Sequence, residues 1–173
     1  MRVAFTGHRP DKLGGYDLNS PYNLKLKGRI KDLVKKVIGL SKHDSYEFYV
    51  GGALGVDTIA FDICRELKEE LEEEVKIRAV LCIPFEGFEG FWRQESKDKL
   101  KECIDVADDF VIVNLLEDYY TSNIKYTYQK RNEFMVDHCD LLIAVYDGHS
   151  SGGTKNCVDY AKRIERRILT IGI

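Results

Sequence analysis

Glu47-Phe48-Tyr49-Val50-Gly51-Gly52-Ala53-Leu54-Gly55-Val56-Asp57 is the stretch that decides the fold. A half-aromatic run of strand type stops at a glycine pair, and Val56, Ile59, Ala60, Ile63 and Leu67 then recur at helical spacing. Three glycines in five residues, placed where a strand becomes a helix, let a ligand approach the first helical amides without side chains in the way. The spacing is Gly-Gly-x-x-Gly. It is neither a Walker loop, since no Gly-Lys-Ser/Thr follows, nor the Gly-x-Gly-x-x-Gly dinucleotide fingerprint.

The same alternation runs outward in both directions. Val3–Thr6 reads as a first strand, followed by a helix carrying Leu26, Ile30, Leu33, Val34, Val37 and Ile38. Downstream, Ile77–Ile83, Phe110–Val113, Leu141–Tyr146 and Ile168–Ile171 read as strands. Trp92–Ala107, Tyr126–Val136 and Thr154–Ile164 read as helices. Strands alternating with amphipathic helices predict an α/β chain: a three-layer, Rossmann-like open parallel sheet with helices on both faces, residues 1–173 forming one domain. Two irregular stretches, His8–Asn23 and Leu115–Lys125, have the length of functional lids or ligand walls. The acidic run Glu66–Glu74 reads as a solvated helix end.

Composition narrows the function classes. Apolar residues make up 44% and charged residues 32%, which are globular values. Lys and Arg number 26 against 29 Asp and Glu, a formal net charge of -3, which argues against a nucleic-acid partner held by its phosphates. No apolar stretch approaches the roughly 18 residues of a membrane span, and no secretory signal opens the chain, so a cytoplasmic protein is expected. The five cysteines are odd in number, scattered and never spaced as Cys-x-x-Cys, and they read as core thiols. His138-Cys139 lacks partners at zinc spacing, so no metal is expected.

Ligands of open parallel sheets bind at the carboxyl ends of strands, near the point where strand order reverses. Four regions there have ligand-binding composition. Thr6-Gly7-His8-Arg9 offers a hydroxyl, a glycine amide and a guanidinium fork. Gly51, Gly52, Gly55 and Asp57 form the glycine loop, with Asp57 either complementing the helix dipole or accepting bonds from a ribose. Pro84, Phe85 and Trp92 belong to an aromatic cluster that reads as one wall of a pocket. Arg131-Asn132 and Ser151-Gly152-Gly153-Thr154 supply a cation, amides and hydroxyls for a phosphate or ribose. A bound nucleotide is the simplest reading of these loops, with no cofactor required. Bond cleavage needs a carboxylate, and Asp57, Glu86 and Glu133 are the candidates, none at a diagnostic spacing.

These motifs resemble a known family. Thr6-Gly7-His8-Arg9-Pro10, continued by Lys12-Leu13-Gly14-Gly15-Tyr16, is similar to the opening of the YpsA-like branch of the SLOG superfamily. The loop Gly51–Asp57, Pro84-Phe85, Trp92, Arg131-Asn132 and Gly152-Gly153-Thr154 follow in that branch's order. The resemblance implies a Rossmann-like fold related to LOG phosphoribohydrolases and DprA. It also implies a domain that binds ADP-ribose, NAD-derived ligands or AMP as a sensor or regulator. The alternative it carries is a hydrolase or transferase acting on a nucleotide N-glycosidic bond. LOG enzymes have a catalytic glutamate where this chain has Cys157, a departure that counts against hydrolysis of their type. Related domains often pair through helices, so the resemblance also accommodates a homo-oligomer.

Overall fold

The computed structural model of the protein describes residues 1–115 and 124–173. Eleven regular elements alternate along the described residues: β1 (Arg2–Gly7), α1 (Pro21–Ser41), β2 (Ser45–Val50), α2 (Val56–Glu70), β3 (Lys76–Ile83), α3 (Gln94–Val106), β4 (Asp109–Ile112), α4 (Ile124–His138), β5 (Leu141–Val145), α5 (Gly153–Arg163) and β6 (Arg167–Ile171). All six strands lie parallel in one sheet of order β4-β3-β2-β1-β5-β6. The expected three-layer architecture is therefore present. Most of the irregular stretch Leu115–Lys125 lies outside the described residues.

Strand periodicity sorts the two layers of core. In β1, Val3 and Phe5 point to the side covered by α1, α2 and α3, where they meet Leu26, Ile30, Phe48 and Ile59. Ala4, between them, faces the opposite layer with Met135 and Val136 of α4 and Cys157 and Ala161 of α5. β5 repeats the pattern: Leu141, Ile143 and Val145 face one layer, Leu142 the other. No helix among the described residues is long and apolar enough to cross a membrane.

Local chemistry fixes the helix ends. α1 starts at Ser20, whose hydroxyl accepts from the Asn23 amide at 3.3 Å, with Pro21 in the first turn. It stops at Lys42 in the left-handed region, whose amide bonds the Ile38 carbonyl. The acidic run at the end of α2 is partly engaged rather than simply solvated. Glu66 pairs with Lys27 and Lys31 of α1, and Glu70 with Lys31 and Lys35.

Candidate functional site

β1 lies at the centre of the sheet, between β2 and β5. From β1 the chain steps outward through β2, β3 and β4, then returns through α4 to place β5 on β1's other side. Loops leaving the carboxyl ends of β1 and β5 therefore run in opposite directions and open a crevice. A pocket of about 520 Å³ occupies it, within the size range of small-molecule sites. Thr6, Gly7 and Arg9 come to it from β1, Ala53, Leu54 and Asp57 from the loop after β2, and Ser151–Thr154 from the loop after β5. The face of α4 closes the fourth side.

Two glycines let the first two loops touch. A side chain at Gly7 would sit 2.4 Å from Val56 Cγ2, and one at Gly55 would sit 2.5 Å from the His8 carbonyl. Gly55 also has φ +99°, a conformation that favours glycine. The contact is held by the Val56 amide, which donates to the His8 carbonyl at 3.3 Å. The His8 side chain turns inward, only 5% exposed, with Nε2 3.6 Å from Asp147 Oδ1 and the ring tilted against Tyr146. It packs between the β1 and β5 loops without lining the pocket, and its Nε2 has no hydrogen-bond partner among the described residues.

Asp147 in turn shapes the loop after β5. Its carboxylate accepts from the Ser150 hydroxyl, from the Ser150 amide at 2.9 Å and from the His149 amide at 3.1 Å. The Ser150 hydroxyl, followed by the two amides, holds the Asp147 carboxyl far below its ordinary value. Beyond this turn, Gly152 caps α5 at φ +123° with no side-chain bond to the helix. The first-turn amides of α5 are therefore not claimed by a capping side chain at the pocket wall. Asn132 reaches across from α4 and donates to the Gly153 carbonyl at 3.4 Å.

The floor is an ion pair. Arg131 Nη1 lies 3.3 Å from Asp57 Oδ2 and also donates to the Gly51 carbonyl. Asp57 Oδ2 accepts from the Ala53 amide at 3.1 Å as well, which fixes the glycine loop from inside. Arg131 Nε is buried and has no hydrogen-bond partner among the described residues. At the rim the Arg9 guanidinium stands 5.7 Å from the centre of the Tyr128 ring. Among the described residues, three cations (Arg9, Lys125, Arg131) and one carboxylate (Asp57) line the pocket, a cationic excess suited to an anion.

A family model, described as that of the YspA SLOG family, matches residues 3–171, from the first strand to the last. The chain belongs to that family. It is similar to the SPbeta prophage-derived protein YoqJ of Bacillus subtilis (strain 168), 35% identical over 152 residues that cover 84% of this chain and 85% of YoqJ. It is also similar to a UPF0398 protein of Bacillus cereus (strain G9842), 25% identical over 162 residues, covering 93% and 82% of the two chains.

In this SLOG chain the motif residues divide between pocket surface and support. Thr6, Gly7, Arg9, Asp57, Arg131, Asn132 and Ser151–Thr154 line the pocket together. Gly51, Gly52 and Gly55 shape the loop behind the wall, and Arg131 packs where a Gly51 side chain would stand. Pro84, Phe85 and Trp92 are elsewhere. Phe85 packs edge-on against Phe88 and Tyr128, and Phe88 against Trp92 at 5.1 Å, so the aromatic cluster braces Tyr128 from behind. The Pro84 carbonyl accepts from buried Asn114 at 2.6 Å. Trp92 borders a narrow slot beside Leu54 and Asp57. Glu86 is exposed, away from the pocket, and Glu133 faces a shallow groove between α4 and α5, accepting from Gln129 at 3.1 Å. Asp57 is thus the one carboxylate lining the SLOG pocket among the described residues. Phe5, Ala53, Leu54, Lys125, Tyr128, Gln129 and Asn156 also line the pocket and are not among the candidates named from the sequence. Helical spacing holds the signal for Tyr128, Gln129 and Asn156: the first two lie three residues before Arg131 and Asn132, and Asn156 three after Gly153.

Proposed function

We propose that this SLOG domain binds a nucleotide of the AMP, ADP-ribose or NAD-derived class at the β1/β5 switch point and serves as a sensor or regulator of it. The observation that carries the reading is the N-terminus of α5. It has a glycine cap without a side-chain bond, and it borders a pocket also lined by Arg9, Thr6 and Arg131. Amides and guanidinium groups converging on one concave surface are the inventory a phosphate needs. Tyr128, braced by Phe85 and Phe88, offers a ring face to a base or ribose. Asp57 is already engaged by Arg131 and the Ala53 amide, which supports binding over acid/base chemistry.

Calorimetry with AMP, ADP-ribose and NAD tests the reading. Saturable binding is expected, weakened about tenfold or more by Arg9→Ala through loss of a charge-assisted contact. No heat and no thermal shift with any of the three at millimolar concentration would overturn it. Chromatography of the incubated mixture separates binder from N-glycosidic hydrolase: an intact ligand fits the sensor, and free base or ribose phosphate fits the enzyme, with Asp57 as the carboxylate to replace.

A further inference from the structure

A second cavity of about 310 Å³ lies on the far side of Leu54 from the first, and Leu54 is a wall of both. It sits between the loop Tyr16–Asn19 and the start of α3. Asp17 and Glu95 face Arg93 and Lys99 in its lining, and Lys99 is already bridged to Asp62 at 3.0 Å and Glu102 at 3.2 Å, so the described residues give it no cationic excess. Among the described residues the first pocket has a cationic excess and the second has none. The second is lined by the pair Tyr16 and Arg93, with the guanidinium 5.7 Å from the ring centre and Tyr16 61% exposed.

The wall of this cavity is built rather than loose. Asn23 of α1, 1% exposed, accepts from the Gly14 amide at 3.2 Å and donates to the Gly15 carbonyl at 3.1 Å and the Asp17 carbonyl at 2.7 Å. A buried amide that satisfies three backbone groups fixes the loop carrying Tyr16 before any ligand arrives, which lowers the ordering cost of binding.

We propose that the second cavity is a subsite for the uncharged far end of the ligand, a second sugar or planar ring beyond the phosphate, while the nucleoside and its phosphate stay in the first pocket beside Tyr128 and Arg9. The inference rests on the nucleotide reading above and extends it: the ligand is two-headed, bridging Leu54, and a mononucleotide fills half of the site. Charge assigns the halves, with phosphate on the cationic side and a neutral sugar or ring beside Tyr16 and Arg93.

Titration calorimetry of the full chain with AMP and with ADP-ribose separates the two readings. The wild type is expected to bind ADP-ribose about tenfold more tightly than AMP, and Tyr16→Ala and Arg93→Ala each to bring the two affinities closer by lowering that for ADP-ribose. Both residues are exposed, and circular dichroism with thermal melting confirms that the variants remain folded. Equal wild-type affinities, or variants that alter both ligands alike or neither, would overturn the second subsite and leave the first pocket's reading standing. Failure of both ligands to bind the wild type would overturn both.

Discussion

Asp57 and Arg131 stand 74 residues apart in sequence and 3.3 Å apart in space, with 9% and 6% of their side chains exposed. Neither charge has another counter-ion within salt-bridge distance among the described residues, so each is the condition for burying the other.

Arg131→Ala should therefore destabilise the domain by about 3–5 kcal/mol, the range for leaving a buried charge unpaired. Urea unfolding checks the value. The double variant Asp57→Ala/Arg131→Ala should cost clearly less than the sum of the single changes, because no lone charge remains. Additive losses would mean that the pair does not act as a unit.

The glycines divide by what surrounds them. Gly55→Ala meets both a φ of +99° and the His8 carbonyl at 2.5 Å, and should cost at least about 3 kcal/mol. Gly87→Ala, at φ +78° with no other atom within 4 Å, should cost only about 1 kcal/mol of left-handed strain. A pair of denaturation curves decides it. Similar losses at the two sites would show that contact with the β1 loop is not what demands Gly55.

Asp147 predicts an acid limit. Its folded value is depressed below 3.8 by the Ser150 hydroxyl and the two loop amides, so its contribution is fully present above that value and is lost as pH falls through the folded one. Stability measured from pH 6 down to pH 2 should decline, and Asp147→Asn should make the decline shallower. An unchanged slope in the variant would remove Asp147 from the account.

Burial predicts an alkaline limit and silent thiols. Cys82, Cys103 and Cys157 are pushed up to about 12 and Cys139 to about 11, in each case chiefly by burial. Raised folded values mean that the thiols favour the folded state less as pH climbs above 9, their ordinary value, with the loss continuing through those folded values. Native protein at pH 8 should resist iodoacetamide, and all five cysteines should react in denaturant. Labelling of a native cysteine would contradict the packing of its layer.

The strands and the switch-point loops were legible because their signals are local. Val3–Phe5 and Leu141–Tyr146 are unbroken apolar runs ended by polar residues, and glycine clusters mark the turns that follow β2 and β5. Three-dimensional partnerships were not legible. Asp57 suggested a cap or a ribose contact and Arg131 an anion contact, since nothing local says that the two side chains find each other across the sheet. Phe85 and Trp92 suggested a pocket wall because aromatics suit both walls and cores, and only the packing of Phe88 between Trp92 and Tyr128 distinguishes the two. Asn23 gave no signal at all. Its importance comes from three backbone groups that point at it.

The centre of the sheet joins two strands that lie far apart in sequence. Val3 pairs with Leu141 and Gly7 with Val145, so β1 completes its ladder only after the chain through β5 has been synthesised. A growing chain on the ribosome carries Thr6 and Gly7 long before it carries Ser151–Thr154, and during that interval there is nothing for a ligand to occupy. A filled pocket would therefore report that β1 and β5 have met. Since the pocket is made of every part of the sheet's middle, a bound ligand should slow hydrogen exchange most at the central amides of β1 and β5, which open only when the whole domain unfolds.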